Sequence, residues 1–128
     1  MKEMIKSEKA PRAIGPYSQG VKVNGMLFLS GQLPICPNKG KITETTIEGQ
    51  LEQALENVKA ILQSEGCEMK DIVKTTVFLK NLDDFEKMNI IYAKYFCEGE
   101  YPARSAYQVG ALPQNALVEI EVIAEKKE

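Results

Sequence analysis

The sequence contains no histidine and no tryptophan among its 128 residues. Without histidine there can be no Ser-His-Asp triad, no Cys-His pair and no imidazole base. Zinc sites that need histidine are excluded for the same reason. If the protein is an enzyme, its proton transfers must use a carboxyl group, lysine, tyrosine, cysteine or water.

The sequence also has few cysteines and a small net charge. The three cysteines are Cys36, Cys67 and Cys97, and no CxxC pair occurs. An odd number of distant cysteines predicts free thiols in a reducing compartment, not a disulfide framework or a thiolate metal site. No base accompanies any of them, so we expect inert thiols. The net charge of -2 carries no signature of nucleic-acid binding.

Long apolar runs and phosphate-binding loops are missing as well. No segment approaches the roughly 18 apolar residues that a membrane span needs, and the charged N-terminus lacks the apolar core of a signal peptide. Neither GxGxxG before a helix nor GxxxxGK[ST] occurs. The length is typical of one domain. We therefore expect a single domain over residues 1–128, located in the cytoplasm.

The first half of the chain predicts a hairpin followed by a helix. Segments 21–23 and 26–29 flank Asn24-Gly25, which is typical of a type I′ turn, and Ser30-Gly31 is predicted to end the second strand. Prolines and glycine make 34–40 a predicted loop. Thr45 and Glu48 predict a capping box at the start of an amphipathic helix that ends at Gly66.

The second half alternates strand, helix and two strands. Segment 72–80 is rich in β-branched and aromatic residues on both faces, which indicates a central strand. Asp83 is predicted to cap a second helix that ends before Gly99. Segment 102–109 is a predicted strand, and 117–124 alternates apolar and acidic residues, as a half-buried strand does.

This order of elements predicts an α+β fold, a two-layer sandwich of a mixed β-sheet with two helices on one face. The other face of such a sheet stays uncovered, although the central strand is apolar on both sides. Because no further helices are available, another copy of the chain is the expected cover. We therefore predict a homo-oligomer with closed symmetry.

Two charged residues near the end of the chain are candidates for chemistry. Glu119 lies on the polar side of its strand, where it is either solvated or a partly desolvated base. Arg104 follows Pro102 and is either a surface or ion-pair residue or a clamp for a substrate carboxylate. The two residues lie on predicted neighbouring strands, so they either face one cavity or pair with each other.

Two turn-rich segments are weaker candidates for pocket walls. Tyr17, in the segment Gly15–Gly20, either packs on the sheet or covers a pocket with its phenol. Ser30 and Gly31 form either a strand end or a polar wall where the backbone approaches a ligand closely.

Six segments together resemble one known family, that of the reactive intermediate (enamine/imine) deaminases, RidA/YjgF. They are AIGPYSQG (13–20), SGQ (30–32), NVKAIL (57–62), DIVKTTVFL (71–79), YPARS (101–105) and VEIE (118–121). The resemblance covers nearly the whole chain, and several long motifs in one order make it specific.

The resemblance implies a chorismate-mutase-like fold, a homotrimer and active sites between subunits, with no metal or organic cofactor. The implied reaction hydrolyses 2-enamine and 2-imino acids, such as 2-aminoacrylate and 2-iminobutanoate, to 2-oxo acids and ammonia. Arg104 would bind the substrate carboxylate and Glu119 would activate water. The residues that would shape the pocket are Tyr17, Ser30, Gly31, Asn89 and Ala106.

The sequence departs from the family pattern at Ala106, where many members carry cysteine. A thiol is not required for imine hydrolysis, and the backbone there can still contact the substrate. Two other functions stay open at this point: an RNA-directed endoribonuclease or translation inhibitor, and a non-catalytic module that binds small carboxylates. The lack of a basic aromatic stripe argues against the first of these.

Overall fold

The computed structural model describes residues 1–127, and a six-stranded mixed sheet with two α-helices forms its framework. The elements are β1 (Glu3–Ile5), β2 (Gly20–Val23), β3 (Met26–Gln32), β4 (Ile35–Cys36), β5 (Lys41–Ile42), α1 (Ile47–Ser64), β6 (Ile72–Leu79), α2 (Phe85–Ala93), β7 (Ala103–Gln108) and β8 (Val118–Glu125). The strand order is β1-β2-β3-β8-β6-β7. Only β6 and β7 pair in parallel in this sheet. The predicted α+β class and mixed sheet are confirmed.

The β2–β3 hairpin is built as the sequence predicts. Asn24 and Gly25 have φ angles of 50° and 78°, the left-handed values that a type I′ turn requires at both positions. The prediction that Ser30-Gly31 ends the second strand is wrong. β3 continues to Gln32, and its register against β8 shifts after Leu29. A bulge of this kind keeps a strand paired while it changes the direction of its side chains.

The amphipathic helix α1 is confirmed, but its first residue differs. Thr46, not Thr45, is the N-cap, and its Oγ1 accepts a hydrogen bond from the backbone N of Gly49 at 3.0 Å. Glycine at this third helical position has no side chain to return the bond, so the predicted capping box is wrong. The helix ends as predicted before Gly66, whose φ is 74°.

Two irregular segments were predicted less well. A 3₁₀ turn (Leu82–Asp84) precedes α2. The residue whose side chain caps this turn is Asn81, not Asp83. Its Oδ1 accepts a hydrogen bond from the backbone N of Asp83 at 2.9 Å. The predicted loop at 34–40 includes β4, which pairs with β5 to form a separate two-stranded ribbon.

Both helices lie on one face of the sheet, and the hydrophobic core fills the space between the two layers. α1 packs against β3, β8 and α2. Every second residue of β8 is buried beneath the helices: Val118, Ile120, Val122 and Ala124. We call the opposite face of the sheet the open face, since neither helix covers it. Phe28 on that face is 43% exposed, so apolar surface is present there.

The structure also bears on the cysteines and on membrane insertion. Cys36, Cys67 and Cys97 are all free, as predicted, and burial raises the pKa of the Cys67 thiol above its ordinary value. Among residues 1–127, no helix has the length and apolar character needed to cross a bilayer.

Candidate active site

The register of the sheet places the two charged candidates on opposite faces. Residues directly opposite each other in paired strands share a face. Arg104 lies opposite Thr75, and Thr75 lies opposite the buried Val122, so this row faces the helices. Glu119 lies opposite Phe78 on the open face. Because β6 separates β7 from β8, the prediction that Arg104 and Glu119 are on neighbouring strands is wrong.

The guanidinium of Arg104 is held by residues of α2. Its Nη1 donates a hydrogen bond to Oδ1 of Asn89 at 2.7 Å and a weaker one to Sδ of Met88 at 3.8 Å. Two aromatic rings lie against it, with ring centres 4.8 Å away for Tyr92 and 5.4 Å away for Phe85. Aromatic rings stabilise a cation at such distances through their quadrupole. The predicted neighbours Asn89 and Arg104 are therefore in direct contact.

Arg104 has no acidic partner within the part of the chain that the structure describes. No carboxylate there lies within 4.0 Å, and its Nε and Nη2 have no hydrogen-bond acceptor. Arg104 borders an open groove of about 470 Å³, lined by Asn89, Tyr92, Ala93, Tyr101 and Pro102. The alternative that Arg104 pairs with Glu119 is contradicted, and the guanidinium can receive an external anion.

Glu119 lies over the backbone of the β3 bulge. A Cβ atom added at Gly31 would come within 2.7 Å of Oε2 of Glu119, so only glycine leaves room for this carboxyl position. Glu119 is half-buried, whereas Glu121 on the same face is exposed. Burial, and secondarily the negative charge of Glu121, raise the pKa of Glu119 above its usual value. A carboxyl group whose pKa is raised is a stronger base than an ordinary carboxylate and is suited to take and return a proton.

Ser30 and Tyr17 lie at the same end of the sheet as Gly31. The hydroxyl of Ser30 donates to the backbone oxygen of Ser18 at 2.6 Å, which ties β3 to the segment that carries Tyr17. Tyr17 is 53% exposed, and it lines a small cleft together with Gly31. The predicted residues thus fall into two groups. Arg104 and Asn89 form one, and Tyr17, Ser30, Gly31 and Glu119 form the other.

Ala106 belongs to the row that faces the helices. It lies opposite Val77, which in turn lies opposite Ile120, and it packs partly buried against the core. A small side chain fits this position on the edge strand. Ala106 is two residues from Arg104, so its backbone lies on the strand that carries the guanidinium.

Several positioning contacts were not predicted from the sequence. The buried amide of Gln19 binds both backbone groups of Ser7 and the backbone oxygen of Pro11, at 2.6 to 3.0 Å, and so fixes the segment before Tyr17. The hydroxyls of Thr75 and Tyr92 lie 2.7 Å apart in the core. Buried polar residues in an apolar stripe are the sequence signal that would have indicated them.

Residues 1–127 contain no candidate metal site, since no group of three or more histidine, cysteine or acidic side chains converges there.

The fold and the site define a small α+β protein with an arginine suited to an anionic ligand and a carboxyl group suited to proton transfer. A family model described as Endoribonuclease L-PSP matches residues 7–126. The chain belongs to this family, the RutC/YjgF family, and the resemblance found in the sequence is confirmed.

Named relatives match nearly the whole of this chain. A RutC family protein of Pyrococcus horikoshii is 50% identical over 99% of this chain and 100% of its own. Reactive Intermediate Deaminase A, chloroplastic, of Arabidopsis thaliana is 51% identical over 96% of this chain and 65% of its own. The crystal structure of Escherichia coli TdcF with bound serine is 44% identical, with a TM-score of 0.92, and the match covers 98% of this chain and 99% of that one.

Proposed function

We propose that the protein is a hydrolase that deaminates reactive 2-enamine and 2-imino acids, of the 2-aminoacrylate and 2-iminobutanoate type, to 2-oxo acids and ammonia. The observation that carries the proposal is the way in which Arg104 is held. Its guanidinium is fixed by Asn89 and two aromatic rings, yet its Nε and Nη2 have no acceptor among the described residues. Such a group matches a carboxylate. A relative named Reactive Intermediate Deaminase A and a related structure with bound serine support the same interpretation.

The second support is the carboxyl group of Glu119. An imine carbon is electrophilic once its nitrogen is protonated, so one oriented water and one base suffice for hydrolysis. The water oxygen bonds the imine carbon, the C=N electron pair moves to nitrogen, and Glu119 takes a water proton. Glu119 then returns that proton to the nitrogen of the tetrahedral adduct. An oxygen electron pair then forms the C=O bond, the C–N bond breaks and its electron pair leaves with ammonia. Glu119 takes the hydroxyl proton and passes it to the ammonia, so that ammonium and the 2-oxo acid leave.

The positions of the two groups on opposite faces of the sheet favour a site to which two subunits contribute. Arg104 and Asn89 lie on the helix side of the β7 edge, whereas Glu119 lies on the open face of the same chain. We propose a homotrimer in which the open face of one subunit packs near the β7 edge of the next. Each site then combines Arg104 and Asn89 of one subunit with Tyr17, Ser30, Gly31 and Glu119 of its neighbour.

The direct test of the function is a coupled assay. Threonine dehydratase generates 2-iminobutanoate, and the release of 2-oxobutanoate is followed with and without the protein. Purified protein in catalytic amounts is expected to speed the release of 2-oxobutanoate. Saturable binding without turnover would instead support a carboxylate-binding module and would contradict the enzymatic proposal.

Gly31→Ala is expected to lower kcat/KM by about tenfold to a hundredfold, because displacing a reacting group by 1 Å can cost that much. The new Cβ would lie only 2.7 Å from Oε2 of Glu119, so the carboxyl group, which is the flexible end of that side chain, would have to move. The free energy of unfolding should therefore change by less than about 1 kcal/mol. Gly110→Ala is the matched control, since nothing lies within 4 Å of a Cβ there. Equal activity of the two variants would contradict the placement of Glu119.

Glu121→Gln is expected to move the acidic limb of the rate–pH profile to lower pH. The base works only as the carboxylate, so deamination slows as pH falls through the pKa of Glu119. Removing the charge of Glu121 takes away one cause of the raised pKa, while burial, the larger cause, remains. The limb should therefore shift but stay above the range of an ordinary glutamate. Glu125→Gln, further along the same strand, is the control. A limb that moves to higher pH would refute the prediction.

A further inference from the structure

Two aromatic side chains of α2 lie against the guanidinium of Arg104. Tyr92 is buried on α2, and its ring centre is 4.8 Å from Cζ of Arg104. Phe85, about two helical turns earlier, contributes the second ring, at 5.4 Å. We call Phe85 and Tyr92 the aromatic seat. Both rings contact the guanidinium of a residue from another element, the edge strand β7.

Tyr92 is itself fixed from two sides. Its hydroxyl lies 2.7 Å from Oγ1 of Thr75, whose side chain is completely buried on β6. Its ring also packs against Phe96, with ring centres 4.8 Å apart. Burial raises the pKa of the Tyr92 phenol above its ordinary value, so the ring stays neutral and its face stays attractive to a cation. The ring cannot move without breaking a buried hydrogen bond.

The hydrogen bonds of Arg104 leave only one edge of the guanidinium free. Nη1 already donates to two acceptors, Oδ1 of Asn89 and Sδ of Met88, whereas Nε and Nη2 have no acceptor among residues 1–127. An end-on contact that used Nη1 and Nη2 together would have to compete with the acceptors that Nη1 already has. The side-on edge, formed by Nε and Nη2, carries two parallel N–H groups with the spacing of carboxylate oxygens.

From this geometry we propose that the aromatic seat of Phe85 and Tyr92 positions Arg104 so that its Nε–Nη2 edge receives the carboxylate of the substrate. Phe85 and Tyr92 are positioning residues, since they act through Arg104. The proposal deepens the function proposed above and rests on it. It also limits the ligand class to acids whose carboxylate can approach side-on, in the plane of the guanidinium.

The test measures binding of a stable product and its uncharged analogue, 2-oxobutanoate and 2-oxobutanamide, by NMR titration. Tyr92→Leu is expected to raise the Kd of 2-oxobutanoate by about tenfold, which is the size of a partly desolvated cation–π contact. The Kd of the amide should not change, because it forms no charged contact with Arg104. Tyr92→Phe keeps the ring and should stay within about threefold of the wild type.

A merely structural role of Tyr92 would weaken binding of both ligands alike, and that result would overturn the proposal. Phe85→Leu is the second variant, since Phe85 is only partly buried at the margin of the core and leucine keeps an apolar side chain there. It should raise the Kd of 2-oxobutanoate in the same selective way. If neither variant changes the Kd ratio of acid to amide, the aromatic seat has no positioning role.

Arg104→Ala separates this failure from that of the proposed function. If Arg104→Ala abolishes the preference for the acid while Phe85→Leu and Tyr92→Leu retain it, only the aromatic seat is refuted. If Arg104→Ala binds the acid as the wild type does, the carboxylate site is refuted, and the seat with it. A wild type that binds acid and amide equally would refute both in the same way.

Discussion

Arg104→Ala is expected to lower kcat/KM for 2-iminobutanoate by about 10²–10³-fold, because a bidentate contact to a carboxylate comprises two charge-assisted hydrogen bonds. The variant should remain folded, since Arg104 is only partly buried and contacts Asn89 at the surface of α2. The coupled dehydratase assay measures the loss, and circular dichroism with size-exclusion chromatography checks fold and assembly. KM should rise more than kcat falls, because the carboxylate contact exists before the chemical step.

Arg104→Lys serves as the chemical control. Lysine keeps the positive charge but has no planar pair of N–H groups, so we expect activity between those of Arg104→Ala and the wild type. Lys70→Ala removes an exposed cation that pairs with Glu68 and contacts none of the site residues named above. It should leave the rate unchanged. Wild-type activity in Arg104→Ala would contradict the site assignment, whatever the fold of the variant.

The parts of the fold that depend on neighbouring residues were predictable from the sequence. The Asn24-Gly25 turn, the apolar stripe of α1 and the alternation along β8 all follow from local patterns. Short elements that depend on distant partners were not. β1 has three residues and gains its bonds from β2, and the β4–β5 ribbon has two residues on each side. Such segments carry too few residues for a periodic signal.

The candidate residues were predictable by chemical type, but their relation in space was not. Glu119 stands out because the sequence has no histidine to transfer protons, and Arg104 stands out as a group that can bind a carboxylate. Which face each occupies depends on strand order and register, and β6 enters between β7 and β8 from a distant part of the chain. The contact of Thr75 with Tyr92 is hidden for the same reason, since it joins β6 to α2 across the core.

This separation has a consequence for function. A chain that holds its arginine against α2 and its glutamate on the open face cannot bring both to one small molecule by side-chain rotation. The exposed apolar residues of the open face, such as Phe28, and the half-buried Glu119 on the same face are arranged as at an interface. The proposed trimer therefore explains both the exposed surface and the division of the site.

Mixed trimers give the strongest test of that division. Arg104→Ala and Glu119→Gln are each expected to lose nearly all activity alone, because every site then lacks one of its two groups. Trimers that contain both variants should regain activity. In any such trimer, a subunit with an intact Arg104 meets a neighbour with an intact Glu119 once around the ring. About one third of the sites are therefore complete, and about one third of wild-type activity should return.

The experiment co-expresses the two variants with different affinity tags and purifies mixed trimers on both tags in turn. Arg104→Ala paired with an Arg104→Ala/Glu119→Gln double variant is the control, and it should stay inactive since no subunit supplies the arginine. Mixed trimers without activity would mean that both groups act from one chain. The opposite faces of Arg104 and Glu119 would then have to be reconciled by a rearrangement of β7 against β6. Recovered activity, in contrast, requires that Arg104 of one subunit and Glu119 of another act on the same substrate.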